Sequence, residues 1–210
     1  METVLYVRIL FQGLLSTDLH PEASFSAGHC VNTCYYNRTC ASVFYDRSLQ
    51  LCYQSNTWFD AQVAGLTTKP EVSYLIFHRA DCPAGWVYHK PTNKCFYFHN
   101  TLKKNSELKQ VCMTAGGRVY NIYTAEENDI AYTVVKRRGK DVWIGLNFNT
   151  DWNWHKGTAP PDFFYWSEPP GTFSCVTFSD ATKKWLRVKC GDLYTGLCEI
   201  TVPNNCSLSP

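Results

Sequence analysis

Eleven cysteines in a chain of 210 residues restrict the fold more than any other feature of this sequence. Such a density in a small chain favours disulfide bonds and an oxidising compartment. The cysteines form a tight group, a wider group and one isolated position, namely Cys30, Cys34, Cys40 and Cys52, then Cys82, Cys95, Cys112, Cys175, Cys190 and Cys198, and finally Cys206. Two groups with different spacing predict two disulfide-bonded modules.

The overall composition excludes several classes of protein. Apolar residues make up 45% of the chain and charged residues 18%, which excludes a disordered chain, a collagen and a coiled coil. The net charge of +2 lacks the basic excess of a nucleic-acid binder. No stretch reaches the roughly 20 apolar residues that a membrane-spanning helix needs, so we predict no transmembrane anchor.

Residues 1–19 are expected to be either a signal peptide or a disordered N-terminus. Their apolar run carries three interruptions, Arg8, Gln12 and Gly13. Export would bring the chain into the extracellular space, where two sequons become candidate N-glycosylation sites, one at Asn37 and one at Asn205. We therefore expect a secreted glycoprotein.

The first cysteine group lies among strand-like segments. Ala41–Asp46 and Leu49–Tyr53 read as a hairpin, and Val72–Phe77 reads as a further strand. The C-x3-C-x5-C spacing, followed by two aromatic residues and Cys52, resembles the PAN/apple family over residues 20–80. The resemblance implies a small α+β module with the disulfide pairs Cys30–Cys52 and Cys34–Cys40.

A zinc site is the rival interpretation of these four cysteines. The Cys30-x3-Cys34 spacing suits one half of a structural zinc site. Cys40 and Cys52 do not form a second close pair, and the downstream cysteines have disulfide-like spacing. Disulfides are therefore favoured.

The second cysteine group contains a longer series of motifs. A hairpin spans Cys82 to Phe98, and apolar residues at helical spacing predict a helix over residues 106–115. Thr124 and Glu127 form a capping box that begins a second helix, which Gly139 ends. The later motifs are Trp143-Ile144-Gly145-Leu146, Trp152-x-Trp154-x-x-Gly157, Glu168-Pro169, Trp185-x4-Cys190 and Leu197-Cys198-Glu199.

In this order, the motifs resemble the long form of the C-type lectin-like domain over residues 82–201, followed by a tail, residues 202–210. The resemblance implies a disulfide-rich α+β fold with two helices, two small antiparallel sheets and a long loop. It also implies three disulfides, Cys82–Cys95, Cys112–Cys198 and Cys175–Cys190. Cys206 is then left over, as a free thiol or as the link of a disulfide-bonded dimer.

Members of this family that bind sugars use a calcium ion, and this chain departs from their ligand pattern. The resemblance places the ligands in two triplets, which read Glu168-Pro169-Pro170 and Trp185-Leu186-Arg187 here. Calcium takes six to eight oxygen ligands, whereas Pro170 and Leu186 offer no side-chain oxygen and Arg187 is a cation. We therefore expect no cofactor, calcium included. Glu168 and Arg187 either form an ion pair in place of the ion or both point into water.

Three residues of the long loop are candidate ligand contacts: Phe163, Phe164 and Tyr165. Exposed aromatic rings serve as anchors in recognition surfaces. By the family pattern, Trp154, Trp166 and Trp152 belong to the core instead. Two basic clusters, at residues 136–140 and 183–189, are expected to be solvated faces, with a sulfated polysaccharide or an acidic partner as the alternative ligand.

The chain contains none of the common catalytic motifs, and its six histidines are scattered. We therefore predict a secreted, non-enzymatic recognition protein that binds an extracellular protein or glycan without calcium. A calcium-dependent lectin that uses another loop is the main alternative. A matrix or structural adaptor is the second.

Overall fold

The computed structural model describes residues 3–59, 65–149, 151–155, 164–167, 172–203 and 206–207. In chain order, its elements are β1 (Thr3–Ser16), β2 (Pro21–Ala23), α1 (Ala27–Tyr36), β3 (Ser42–Asp46), β4 (Leu51–Ser55), β5 (Leu66–Arg79), β6 (Val87–His89), β7 (Lys94–Lys103), α2 (Asn105–Thr114), β8 (Arg118–Val119), α3 (Ala125–Arg138), β9 (Val142–Phe148), β10 (Trp152–Trp154), β11 (Cys175–Phe178), β12 (Trp185–Val188), β13 (Tyr194–Thr201) and β14 (Cys206–Ser207). They fall into two compact units, one of Met1–Cys95 with Thr201–Pro210 and one of Phe96–Ile200.

The first unit is built on a six-stranded sheet with the order β14-β1-β5-β3-β4-β2. Its pairs are antiparallel, except that β1 and β14 run parallel. Alternate side chains of β5, from Val72 through Tyr74 to Ile76, join Phe44 and Phe59 in a buried cluster. The next side chain, Phe77, points to the opposite face, where its ring lies 6.2 Å from that of Tyr35 in α1.

The N-terminal segment is a strand in the structure and not a disordered tail, and its assignment as a signal peptide stays a prediction. Residues Thr3–Ser16 form the 14-residue strand β1, which pairs with β5 from Leu5↔Arg79 to Ser16↔Leu66. The interruptions that weaken a signal sequence suit a strand, because an edge strand tolerates polar residues and Gly13 takes a left-handed φ of 80°.

The structure contains five disulfides, with the same five pairs that the two resemblances imply. In the first unit, Cys30–Cys52 ties α1 to β4, and Cys34–Cys40 closes the turn after the helix. Burial of four cysteines as disulfides leaves no thiolate among them for zinc. In the second unit, Cys112–Cys198 joins α2 to β13.

Along the chain, the boundary between the two compact units falls between Cys95 and Phe96, and residues 82–95 belong to the first unit. Arg79 is fully buried and holds Asp81 by two hydrogen bonds of 2.9 and 2.6 Å. It also donates to the Oδ1 atom of Asn93 at 2.9 Å. The predicted domain ranges 20–80, 82–201 and 202–210 concern family membership and stay predictions.

The second unit has one mixed sheet where two small antiparallel sheets are expected. The strand order is β12-β11-β9-β13-β7, with β10 beside β9 and β8 beside β13. The pair of β13 and β9 is parallel, and it joins what would otherwise be two sheets. A third helix of the chain, α1, lies in the first unit.

Both predicted helices of the second unit are present. Helix α2 begins and ends one residue earlier than the predicted range 106–115, and α3 has the predicted cap and stop. Residue Thr124 caps α3 by accepting a hydrogen bond from the backbone N–H of Glu127 at 3.1 Å. The carboxylate of Glu127 reaches one residue further than a capping box requires and accepts from the N–H of Tyr123 at 2.7 Å. Gly139 ends the helix with a φ of 59°, a left-handed conformation that favours glycine.

Candidate functional site

Strands β9, β10 and β12 carry the candidate site at one end of the second unit. The antiparallel pair of β10 and β9 sets Trp152 directly opposite Phe148. The pair of β11 and β12 sets Arg187 opposite Val176, and the Cys175–Cys190 disulfide closes that end. Side chains opposite each other in antiparallel strands point to the same face, so the pairing of β10 with β9 brings two rings together.

Four rings form what we call the aromatic shelf: Phe148, Trp152, Phe164 and Trp166. The Trp152 centroid lies 5.2 Å from that of Phe148 and 4.9 Å from that of Trp166. The rings of Phe164 and Trp166 are stacked at 5.8 Å with an interplanar angle of 15°. Phe148 and Phe164 are exposed, Phe164 by 45%, whereas Trp152 and Trp166 are half-buried. The shelf therefore presents aromatic surface to solvent.

Trp185 supports the shelf from below. It is fully buried, and its indole N–H donates to Oδ1 of Asn128 in α3 at 2.8 Å. Its backbone N–H donates to the carbonyl of Tyr165 at 2.6 Å, and its carbonyl accepts from the N–H of Ser167 at 3.2 Å. These bonds fix residues 164–167 along β12, so the position of Phe164 is set by a hydrogen-bonded segment.

Arg187 completes the surface. Its guanidinium carbon lies 4.9 Å from the Trp152 ring centroid and 5.6 Å from that of Phe148. Its Nε atom donates to the backbone carbonyl of Phe173, whose own ring is exposed. The faces of aromatic rings attract cations, so these contacts hold the charge beside the shelf.

Strand β9 requires a glycine at position 145. A Cβ atom at Gly145 would collide with the side-chain oxygen of Asn121 and lie 2.9 Å from the carbonyl of Val119. Both of those residues are fully buried, so neither can move aside cheaply. This close approach explains the glycine in the Trp143-Ile144-Gly145-Leu146 motif.

Residues 101–200 match the family model described as Lectin C-type domain. The chain carries a C-type lectin-like domain. A mouse secretory phospholipase A2 receptor is 27% identical to it over 128 residues, which are 56% of this chain and 8% of the receptor. A type-2 ice-structuring protein of Brachyopsis segaliensis is 29% identical over 125 residues, which cover 56% of this chain and 71% of that protein.

A solved structure titled as a calcium-independent type II antifreeze protein has the same fold. It is 26% identical to this chain, with a TM-score of 0.51. The match covers 57% of this chain and 94% of that protein. The chain thus spans 8% of the length of the receptor, and most of the length of the two smaller proteins.

The family model covers the lectin-like domain and not residues 20–80, so the PAN/apple assignment of the first unit stays a prediction.

Of the two predicted glycosylation sites, Asn37 is exposed at the end of α1, and its Oδ1 atom accepts from the hydroxyl of Thr39 at 2.9 Å. Asn205 lies outside the described residues, as does the side chain of Cys206. Within the described part of the chain, each helix is too short or too polar to cross a membrane.

Of the five predicted ligand residues in the lectin-like domain, three are described: Phe164, Tyr165 and Arg187. Phe164 and Arg187 both contact Trp152, at the aromatic shelf. Tyr165 is half-buried, and its ring faces Lys184 at 4.7 Å. Phe163 and Glu168 lie outside the described residues, so the predicted pair of Glu168 and Arg187 stays a prediction.

That the domain works without calcium stays a prediction, which rests on the residue types at the position that the family resemblance implies. Leu186 is aliphatic, and Arg187 places a guanidinium where an oxygen ligand is needed. Among the residues that the structure describes, no three His, Cys, Asp or Glu side chains are grouped so that they could hold a metal.

Sequence reasoning missed four members of this surface: Phe148, Trp152, Trp166 and Phe173. Phe148 is the last residue of β9 and is exposed after a run of buried residues. Trp166 is expected in the core but is half-buried. Trp152 is expected in the core but is half-buried beneath Arg187. Their shared signal is the position of an aromatic residue at a strand end, where burial stops.

Proposed function

We propose that the chain is a secreted, non-enzymatic recognition protein whose lectin-like domain binds a protein or glycan without calcium. The observation that carries this proposal is the aromatic shelf with Arg187 over Trp152 at 4.9 Å. Rings that are already packed against one another lose little conformational freedom when a ligand covers them. Aromatic residues and arginine are also the side chains that most often dominate binding energy.

The shelf can serve without a metal because it carries its own cation. Arg187 is held by two rings and one backbone carbonyl, so its charge is positioned before a ligand arrives. The resemblance to a calcium-independent antifreeze protein supports a metal-free use of this fold. We therefore assign the shelf a ligand with an apolar surface and an acceptor group that the guanidinium can reach.

The first unit is proposed to be a PAN/apple-like module that accompanies the lectin-like domain. Its helix α1 is tied to the sheet by Cys30–Cys52, as the resemblance implies. A glycan on Asn37 is part of this proposal, since that side chain is exposed and lies in a sequon.

The test is binding of the full chain to a printed glycan array and to intact cultured cells, in millimolar calcium and in EDTA. We expect the same ligands in both buffers, because no step of binding needs the ion. Trp152→Ala should weaken binding at least tenfold by removing the centre of the shelf. A melting temperature that is equal in calcium and EDTA should accompany this result.

Leu193→Ala is the matched control. Leu193 is an exposed apolar residue of the same domain and contributes no ring to the shelf. Binding that vanishes in EDTA would favour the calcium-dependent lectin. Equal binding by Trp152→Ala, Leu193→Ala and the unaltered chain would remove the shelf from consideration.

A further inference from the structure

The two basic clusters of the second unit lie far apart in the sequence but meet at one aromatic ring. Tyr132 lies in α3, and its side chain is half-buried. The Nζ atom of Lys136, about one helical turn further along α3, lies 5.3 Å from the centroid of the Tyr132 ring. The Nζ atom of Lys183, in the bend before β12, lies 5.7 Å from the same centroid. The fold therefore brings together charges that the sequence keeps apart.

The next residue of the chain adds a third ammonium group. The Nζ atom of Lys184 lies 4.7 Å from the centroid of the Tyr165 ring. Lys183 is close enough to the phenol groups of both tyrosines to interact with each of them electrostatically. The faces of aromatic rings attract cations, so the rings hold these ammonium groups in place before a ligand arrives. We name this group of residues the lysine cluster: Lys136, Lys183, Lys184, Tyr132 and Tyr165.

The lysine cluster carries an excess of positive charge within the described part of the chain. Asp129 forms an ion pair with Lys183 at 2.6 Å, and the two side chains are 59% and 35% exposed. The ammonium groups of Lys136 and Lys184 lie against rings, which carry no net charge. Lys136 is also exposed to solvent. An anion that reaches this surface is therefore attracted by charge that the ion pair leaves unbalanced.

The backbone of Lys183 has an unusual conformation. Its φ of 61° lies in the left-handed region, which few residues other than glycine adopt. Strained positions of this kind persist where the surrounding structure holds them, and they are common at ligand clamps. A glycine would fit the bend with less strain but would bring no charge. The substitution Lys183→Gly can therefore separate the charge of this residue from its part in the fold.

The residue types of the lysine cluster favour a sulfated polysaccharide over an acidic protein. Lysine is depleted at protein–protein interfaces, whereas arginine is enriched. The planar fork of arginine matches a carboxylate, whereas an ammonium group is a compact point charge that can approach a tetrahedral anion from any side. The phenol hydroxyls of the two tyrosines can in addition exchange hydrogen bonds with sugar hydroxyls.

We propose that the lysine cluster binds the sulfate groups of a sulfated polysaccharide. The ammonium groups of Lys136, Lys183 and Lys184 bind the sulfates, and the rings of Tyr132 and Tyr165 position these ammonium groups. This site goes beyond the function proposed above, because none of its side chains belongs to the aromatic shelf.

The test is binding of the full chain to immobilised heparin, a sulfated polysaccharide, measured by surface plasmon resonance at several salt concentrations. We expect binding that weakens as the salt concentration rises, because salt screens exposed charges. Lys136→Gln combined with Lys183→Gly should raise the Kd at least tenfold and change the melting temperature little. Lys136→Gln alone, at an exposed helix position, should give part of this loss without altering the bend.

The matched control combines Lys103→Gln with Lys104→Gln. It removes the same net charge at the junction of β7 and α2, and it should bind heparin as the parent does. Equal losses in this control and in the lysine-cluster variant would show that net charge alone attracts heparin, and they would overturn the proposal. Parent-like binding by both lysine-cluster variants would overturn it as well.

Competition identifies the class of ligand. Soluble heparin should displace the chain from the surface, whereas chemically desulfated heparin and poly-L-glutamate should not do so at the same mass concentration. Displacement by desulfated heparin would show that sulfate is not recognised. Displacement by poly-L-glutamate as strong as by heparin would make an acidic protein the ligand, and either result would overturn the proposal.

Discussion

Each unit contains a cluster of aromatic rings, and the cluster is buried in the first unit and partly exposed in the second. In the first unit, Phe44, Phe59 and Tyr74 lie within 4.5 to 5.7 Å of one another and are fully buried. In the second, Phe164 and Trp166 stack at 5.8 Å, yet Phe164 keeps 45% of its surface exposed. Ring-to-ring distances are nearly the same, so packing alone does not separate a core from a candidate binding surface.

The difference lies in what covers the rings. The tyrosine hydroxyl of Tyr74 accepts a hydrogen bond from the N–H of Phe59 at 2.8 Å, so even the polar part of that cluster is satisfied internally. On the shelf, Phe148 and Phe164 are exposed to solvent, and the Arg187 guanidinium lies 5.6 Å from the Phe148 ring centroid. Exposed rings held in place by buried neighbours are what a recognition surface needs.

The largest expected effect is on the core rings. Phe44→Ala should lower the free energy of unfolding by about 3 to 5 kcal/mol, because it leaves a cavity in a close-packed cluster. Phe164→Ala should cost less than about 1 kcal/mol, since much of that ring is already in water. Hydrogen exchange measured by mass spectrometry separates the units. Peptides from β5 should exchange faster in Phe44→Ala, and peptides from β12 should be nearly unchanged in Phe164→Ala.

Leu51→Ala, at the partly buried rim of the core cluster, is the matched control. Its loss of unfolding free energy should lie between those of Phe44→Ala and Phe164→Ala. If Phe164→Ala destabilised β12 as strongly as Phe44→Ala destabilises β5, the shelf would be a second core. The comparison between the units would then fail.

Local signals predicted the elements of the second unit well. The Thr124 cap and the Gly139 stop depend on neighbouring residues alone, and both are confirmed. Strand β1 was beyond such signals, because its identity depends on pairing with β5, about 70 residues away at Leu5↔Arg79. The exposure of Phe148 and Trp152 depends likewise on how residues 164–167 return along β12. Non-local contacts decide these features, and the position of an aromatic residue at a strand end is the one local signal for these two rings.

The next largest expected effect is the pH dependence of stability that comes from His89, a buried residue of the first unit. His89 is fully buried, and burial, partly offset by the carbonyl of Asn56, lowers the pKa of its imidazole from 6.5 to about 4. In the neutral ring, Nε2 lies 2.8 Å from the Asn56 carbonyl and Nδ1 lies 2.8 Å from the hydroxyl of Thr92. Nε2 must carry the proton, because a carbonyl can only accept.

The sign of the pH effect follows from this shift. The unfolded chain binds a proton near pH 6.5 and the folded chain only near pH 4. The first unit should therefore lose stability as the pH falls from 6.5 to 4, by about 3 kcal/mol in all. Chemical denaturation at several pH values measures the slope.

His89→Gln keeps a donor for the Asn56 carbonyl without a titrating ring, so its curve should be flatter over the same range. Parallel curves for His89→Gln and the parent would show that His89 takes up its proton at the same pH in both states. The burial of His89 would then have no bearing on the acid sensitivity of the first unit.

Arg187 should give the smallest effect on stability and the clearest contrast with these buried groups. Arg187→Met keeps much of the aliphatic stem over Trp152 but removes the charge and the donor to the Phe173 carbonyl. A cation beside partly exposed rings contributes about 0.5 to 1 kcal/mol, so the free energy of unfolding should fall by about 1 kcal/mol at most. Ligand binding to the shelf should fall much more, because the guanidinium is the charge that lies against its rings. Arg187→Lys retains the charge but not the planar group that lies against the rings, and it should bind at an intermediate level.

Denaturation with guanidinium chloride measures the free energy of unfolding of these Arg187 variants, and the glycan and cell assays measure their ligand binding. A variant that unfolds more easily by several kcal/mol and binds normally would make Arg187 a structural residue, and the shelf would then be part of the core.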